Sequence, residues 1–307
     1  MISIILPTYN ESSVIATTLT ALAQAIQQVD VPVEVVLIDS SPDDLTVLAA
    51  QAIMLPCPLQ IIRLPGKRGA GSARNTGVKA ASYPFIATVD AAVLVEPDWL
   101  STLWTTQQTT QADLVWGNTL HGPTNAFERS YLRSFYRPSF SRRFMNNLLI
   151  RKSVYLELGG LNERVHSGED LELFAKLDQA AYPEAYVEAC STYTGYPQSV
   201  KAILRKWITF TADNVVIGQA KAKFIFVSFE VLTLLMVGIG FIFNFLLGLS
   251  LLILWLLGRF VAQVWLAKRP FESWIEFPMT LGLILVFDYS RCLGLIKGLS
   301  RRRKENP

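Results

Sequence analysis

Residues 3–11 read Ser3-Ile4-Ile5-Leu6-Pro7-Thr8-Tyr9-Asn10-Glu11, a short apolar strand that Pro7 closes and that opens onto a polar elbow. A helical pattern follows from about Ser12. Val14, Ile15, Leu19, Leu22 and Ile26 recur on one face, and Ser12 or Ser13 is placed to cap it. Residues 33–38 form an apolar run of the kind a parallel sheet buries on both faces. Residues 59–64 and 85–89 repeat the strand pattern, with a helix over 72–81 between them. A third helix starts near Pro97, where proline suits the first turn, and a strand follows at 113–116. This alternation of strand and helix predicts an α/β domain built on a mostly parallel mixed sheet.

In such sheets ligands gather beyond the carboxyl ends of the strands. The first strand delivers Pro7 to Glu11 to that edge, the second Asp39 and the fourth Asp90. One acidic residue after a strand is commonly a helix cap, whereas three converging strand ends predict a shared binding cleft. Lys67, Arg68 and Arg74 lie in and after a loop carrying Gly66, Gly69 and Gly71 that opens a helix. Exposed backbone N–H groups at a helix start, with cations beside them, suit a diphosphate. A plain basic turn is the alternative for this loop taken alone.

Composition sets further bounds. The chain has 307 residues, 51% hydrophobic and 17% charged, and its mean hydropathy is +0.31. The apolar excess is concentrated: in residues 224–267 the charged side chains are Glu230 and Arg259. A net charge of +3 without a concentrated basic face excludes a nucleic-acid binder. Basic residues instead flank the apolar region (Lys201, Arg205, Lys206, Lys221, Lys223) and close the chain (Arg301, Arg302, Arg303, Lys304), as membrane-surface and orientation signals do. Three cysteines without paired spacing and two histidines, His121 and His166, neither followed by a second ligand at metal-site spacing, point to neither a disulfide framework nor a zinc site.

Four segments, in order, resemble the motifs of the large inverting glycosyltransferase family with the GT-A fold. They are Pro7-Thr8-Tyr9-Asn10-Glu11, residues 39–44, Gly71-Ser72-Ala73-Arg74-Asn75-Thr76-Gly77 and Gly168-Glu169-Asp170. The resemblance implies a nucleotide-sugar donor site. Pro7, Tyr9, Glu11, Asp39, Lys67, Arg68, Arg74 and Asp90 would hold the donor. Asp170 would be the general base that deprotonates an acceptor hydroxyl, and Glu169 would hydrogen-bond nearby and position the site. The sequence departs from the pattern after the fourth strand. Relatives carry Asp-x-Asp there, whose last carboxylate binds Mg²⁺ or Mn²⁺; this chain reads Asp90-Ala91-Ala92, so a hard cation loses an oxygen ligand. Either Asp90, the diphosphate and water suffice for the metal, or nearby cationic side chains take over part of its role, or transfer has been lost.

The 44 residues 224–267 suffice for two spans of about 20 residues, with a turn at 244–248. A further apolar segment, 278–298, contains Asp288 and Arg291; as a span it would place Arg301 to Lys304 against the charge rule, as a re-entrant or interfacial helix it would not. The expected organisation is a glycosyltransferase domain over 1–200, a basic membrane-proximal linker helix over 201–223 and a membrane module over 224–307. The absence of a basic stretch before the first strand predicts no cleavable signal peptide, hence a multi-pass membrane protein with a cytoplasmic catalytic domain. The expected activity is sugar transfer to a lipid-linked or membrane-associated hydroxyl at the bilayer. The alternatives are a polyprenyl-phosphate sugar synthase and a catalytically silent nucleotide-sugar-binding scaffold. Glu230 and Arg259 lie about equally far from the turn, which predicts an ion pair across the hairpin, the alternative being that each snorkels separately to the interface.

Overall fold

A computed structural model of the chain describes residues 1–66, 69–135 and 143–305. The chain forms two compact units, Met1–Gly122 with Ser141–Gly195, and the segment bearing the helix Ala126–Phe135 with Tyr196–Pro307.

The first unit is built on one eight-stranded sheet. Its strands are β1 (Ile2–Thr8), β2 (Val33–Asp39), β3 (Leu59–Arg63), β4 (Phe85–Thr88), β5 (Val93–Val95), β6 (Leu114–His121), β7 (Leu148–Arg151) and β8 (Glu184–Tyr193), in the order β3-β2-β1-β4-β7-β6-β8-β5. The β3-β2-β1-β4 half is parallel; β7 enters antiparallel to β4 and β6, and β5 antiparallel to β8. The sheet is thus mixed, as expected, with its antiparallel part set by short strands.

Alternation along the strands gives each face its own core. Ile2, Ile4, Leu6, Val35 and Leu37 pack under α1 (Ile15–Gln27) and α4 (Trp99–Thr110). Ile5, Val36, Ile38 and Ile86 pack under α3 (Ala70–Ala80), α6 (Lys152–Glu157) and α7 (Leu171–Ala180). All seven residues of β2 are buried, because both faces are covered. Gly77 lets α3 press onto the sheet: a Cβ there would stand 2.4 Å from Ile38 Cδ1 and 2.8 Å from Ile5 Cγ2.

Several boundaries differ from the sequence reading. Strand β1 continues through Pro7 to Thr8, since pairing with β4 ends at Ile5–Thr88 and the missing N–H of Pro7 faces no ladder partner. Helix α1 starts at Ile15 with neither Ser12 nor Ser13 capping it; the Glu11 carbonyl accepts from the Val14 and Ile15 N–H groups instead. Pro97 stands just before Asp98, the N-cap of α4, rather than in its first turn. A short helix α2 (Leu45–Gln51) was not foreseen.

The second unit is helical. It comprises α5 (Ala126–Phe135), α8 (Val200–Val216), α9 (Lys221–Phe243), α10 (Phe245–Ala267) and α11 (Glu276–Glu305). The last three are long and apolar enough to cross a membrane. Helices α9 and α10 meet at the single residue Asn244, whose side chain accepts from the Leu246 and Leu247 N–H groups at 2.8 and 3.3 Å. Trp207 packs inside this unit: its indole donates to the Tyr131 hydroxyl at 3.2 Å and its ring lies 5.3 Å from that of Phe287.

The expected pair exists and is larger than expected. Arg259 Nε lies 2.8 Å from Glu230 Oε1, Arg259 Nη2 lies 2.8 Å from Asp288, and Asp288 also accepts from Arg291 at 2.8 Å. Trp255 donates to the second Glu230 oxygen at 3.0 Å. Arg259 therefore serves two carboxylates, and exchanging Glu230 with Arg259 would set an acid against Asp288. Arg259→Ala is expected to destabilise detergent-solubilised protein by about 3 kcal/mol or more, as loss of a buried ion partner does, and by more than Glu230→Gln. Equal melting shifts for the two variants would mean that Asp288 draws nothing from Arg259.

Candidate active site

The β1–α1 elbow is shaped by its neighbour. Asn10 takes a left-handed backbone (φ 59°), which asparagine tolerates, and donates its N–H to Ser41 Oγ at 2.8 Å. The Glu11 N–H donates to Thr46 Oγ1 at 3.0 Å. These bonds fix the loop against the segment after β2 and bring Tyr9 and Glu11 to a cavity of about 220 Å³. Pro7, Tyr9, Glu11, Arg74, Asp90 and Ala92 all line it, as do Ser40 and Tyr193. A second cavity of about 320 Å³, around Arg143, Asp178 and Glu184, contains none of the motif residues and is larger, so size alone does not mark the site.

Arg74 organises the first cavity. Its side chain is 4% exposed, and its guanidinium donates to Asp90 at the end of β4 and to Glu169 Oε1 at 2.8 Å. Burial alone would lower the guanidinium's pKa; the Asp90 and Glu169 charges outweigh it, with Asp170 adding to them, and hold the group firmly protonated. Asn75, the next residue, uses its whole amide on the following loop. Its Nδ2 donates to the Leu161 carbonyl (2.9 Å) and Glu163 (2.8 Å), and its Oδ1 accepts from the Tyr155 hydroxyl (2.6 Å) and the Leu161 N–H (3.0 Å). Gly160, at φ +69°, is pressed so close that a Cβ would stand 2.6 Å from Asn75 Oδ1. The loop closes where the Asn162 N–H meets the Glu169 carbonyl at 3.2 Å. Arg74 and Asn75 thus hold the two ends of the segment that delivers Glu169 and Asp170. Asp170 is the half-buried N-cap residue of α7.

Asp39 sits behind the cavity lining. It is fully buried and accepts from Thr8 Oγ1 (2.8 Å), Ser41 Oγ (2.6 Å) and Arg63. Arg63 ends β3, and the sequence reading missed it, although it is the charged residue that closes that strand. Tyr193 was missed because the strand it ends was not foreseen. Its hydroxyl donates to the Gly195 carbonyl at 2.5 Å, and burial, then the Asp90 and Glu11 charges, raise its pKa. His166 lies against the start of α3, where a Cβ on Gly69 would stand 3.0 Å from its Nδ1. Lys67 and Arg68 lie outside the described residues.

For a divalent metal the donor set is thin. Asp90 is bonded to Arg74, position 92 offers a methyl group, and among the described residues no three His, Cys, Asp or Glu side chains group so as to hold an ion.

Burial raises the Glu11 carboxyl above its ordinary range, and the Asp90 charge adds to the shift. A carboxyl with a higher pKa folded than unfolded favours the fold below its unfolded value of about 4.3, and that contribution is lost as pH rises through the folded value. Glu11→Gln is therefore expected to raise the melting temperature at pH 7 and to lose the gain below about pH 4. A gain independent of pH would show that Glu11 is not held in this environment.

Comparison with known proteins places this geometry. The model for glycosyl transferase family 2 matches residues 3–161, just over half of the chain. Glycosyltransferase AglE of Haloferax volcanii is 28% identical over 190 residues, 59% of this chain and 62% of its own length. The chain thus spans less than two thirds of that relative. The mannosyltransferase PcManGT from Pyrobaculum calidifontis, solved with GDP-Man and Mn²⁺, superposes with a TM-score of 0.57 at 16% identity, covering 98% of this chain and 87% of that one. S. aureus TarS 1–349 in complex with UDP gives 0.50 at 17% identity, covering 99% and 90%. Both likenesses are of fold, and they bear out the GT-A arrangement expected from the motifs.

Proposed function

The chain belongs to glycosyl transferase family 2, and from that premise we propose that it transfers a sugar from a nucleotide-sugar donor to a membrane-associated hydroxyl acceptor with inversion. The observation that carries the reading is the convergence of Tyr9, Glu11, Arg74 and Asp90 on one cavity at the carboxyl ends of the strands, with Arg74 joining that cavity to Glu169. Relatives of this fold have been solved with UDP and with GDP-Man, which supports a nucleotide-sugar in this cleft.

In the proposed reaction an acceptor oxygen attacks the anomeric carbon as the bond to the diphosphate breaks. The nucleoside diphosphate leaves with the electron pair, and the acceptor proton passes to Asp170. Glu169, tied to Arg74, holds the base in place. Arg74, kept charged by its acidic neighbours, offsets their charge beside the cleft and offers guanidinium N–H groups to a leaving diphosphate, which needs such electrostatic help. Lys67 and Arg68 would add to it. Mg²⁺ or Mn²⁺ would find Asp90 already bonded to Arg74 and no carboxylate at position 92, so these residues do not build a divalent site. The apolar α9–α10 hairpin supports anchoring in the bilayer with the catalytic domain on the cytoplasmic side, since Lys221, Lys223, Lys268 and Arg269 flank its base. An enzyme so anchored meets acceptors carried by lipid.

Asp170→Asn is expected to lower turnover by about 10²–10⁴-fold while leaving donor affinity nearly unchanged, because it removes the base and keeps the shape. Near wild-type turnover, measured as nucleoside diphosphate release with acceptor, would remove Asp170 from this role. Ala92→Asp sets a carboxylate beside Asp90, and donor affinity should become dependent on Mn²⁺ where the parent is insensitive. Strong inhibition of the parent by EDTA, reversed by micromolar metal, would contradict the donor-set argument.

A further inference from the structure

Length and composition allow α11 to cross a bilayer; the partners of its two ends do not. At its start the buried Glu276 accepts from Arg129 at 2.7 Å and from Arg133 at 2.9 Å, both on α5. Arg133 also donates to the carbonyls of Arg269 (3.2 Å) and Pro270, in the turn that follows α10. At its far end Arg301 donates to Asp213 of α8 at 2.5 Å. Between these points α8 and α11 run side by side in the same direction. Trp207 meets Phe287, a Cβ on Gly294 would stand 2.5 Å from Thr211 Cβ, and one on Gly298 would stand 2.6 Å from Val215 Cβ.

These contacts carry a topological consequence, given the proposed reading of α9–α10 as a hairpin that crosses the bilayer. The base of that hairpin, Lys221 at one end and Ala267 at the other, lies on one side of the membrane. The turn after Ala267 and α5 fix the start of α11 on that side. Helix α8 ends at Val216, and Ile217–Ala220 alone joins it to Lys221, a link that spans at most about 14 Å. The end of α8, and with it Arg301, is therefore on the same side as well. A 30-residue helix is about 45 Å long, against about 30 Å of hydrocarbon, so a crossing α11 would carry Asp213 and the end of α8 to the far face. The four-residue link could not bring the chain back.

We infer that α11 is not a third span. With α8 it forms a two-helix plate that lies along the bilayer surface on the side of the catalytic domain. Leu285, Tyr289, Ile296 and Leu299 form one helical stripe, each 37–67% exposed, and this stripe seats at the boundary of headgroups and acyl chains. Arg302, Arg303 and Lys304 follow it on α11, and Lys201, Arg205 and Lys206 are exposed on α8; they face anionic headgroups. The partner of this surface is an anionic leaflet, and the C-terminus lies on the catalytic side.

Side-specific labelling with a membrane-impermeant maleimide in sealed native vesicles tests this. Single cysteines are placed at Met54→Cys, Phe243→Cys and Ser300→Cys with Cys57, Cys190 and Cys292 replaced by alanine. Met54→Cys and Ser300→Cys should react from one side and Phe243→Cys from the other. Reaction of Ser300→Cys from the side of Phe243→Cys overturns the inference. Reaction of Phe243→Cys from the side of Met54→Cys removes the hairpin reading itself, and the inference with it. Should the cysteine replacements prevent folding, a protease-cleavable tag after Pro307 on the unaltered chain reads the same topology. Depth completes the test. Nitroxides at positions 285, 289, 296 and 299 in phosphatidylglycerol-containing vesicles should share one shallow depth and move outward without the anionic lipid. A depth changing steadily by about 1.5 Å per residue overturns the surface assignment, and a depth indifferent to the anionic lipid overturns its partner.

Discussion

A guanidinium taken out of water must find its counter-charges nearby, and Arg74 meets that constraint with two carboxylates from distant parts of the chain. Asp90 lies two residues beyond the central strand β4; Glu169 precedes α7. Neither acid can be withdrawn without leaving a buried cation short of a partner. The ion-paired Arg74 therefore fixes the relation of sheet edge, α3 and the Glu169–Asp170 segment more firmly than packing alone would. Gly77 seats α3 on β1 and β2, and Asn75 spends all its hydrogen bonds on the loop from Tyr155 to Glu163. One turn of helix thus carries the geometry of the cleft.

The helical unit obeys the same rule with different residues. Arg133, buried on α5, is satisfied by Glu276 and by the carbonyls after α10, with its guanidinium 3.9 Å from the Phe271 ring centroid. Arg259 and Arg291 share Glu230 and Asp288 among three helices. In both units buried charge is paired between segments far apart in sequence, so each pair fixes which segments meet.

What the sequence revealed follows from the range of the forces involved. Strands β1 and β2 were legible because short apolar runs buried on both faces, residues 4–6 and 35–38, leave a strong local pattern, and the acids beyond them stood out against it. Pro7 does not end β1, because a missing N–H breaks a strand only where a neighbour would have used it. Strand β5, three residues long, and β7, four, gain their identity from antiparallel partners, and the longer β8 from its parallel pairing with β6, none of which a local window contains. The membership of α5 in the helical unit rests on the pairing of Arg129 and Arg133 with Glu276, which lies 147 and 143 residues further along the chain. In the cleft, Glu11, Arg74, Asp90 and Glu169 were legible from strand ends and motif order. Arg63 and Tyr193 were not, since each acts through a strand-to-strand neighbour rather than through spacing.

The central claim is that a nucleotide-sugar occupies the cavity organised by Arg74, and backbone hydrogen–deuterium exchange of the detergent-solubilised chain with and without donor measures it most directly. With UDP- and GDP-sugars offered in turn, the bound one should protect the amides of residues 9–11, 70–74 and 90–92 and leave residues 177–184, beside the larger cavity, unchanged. Protection confined to residues 177–184, or none with any donor at millimolar concentration, would contradict the account.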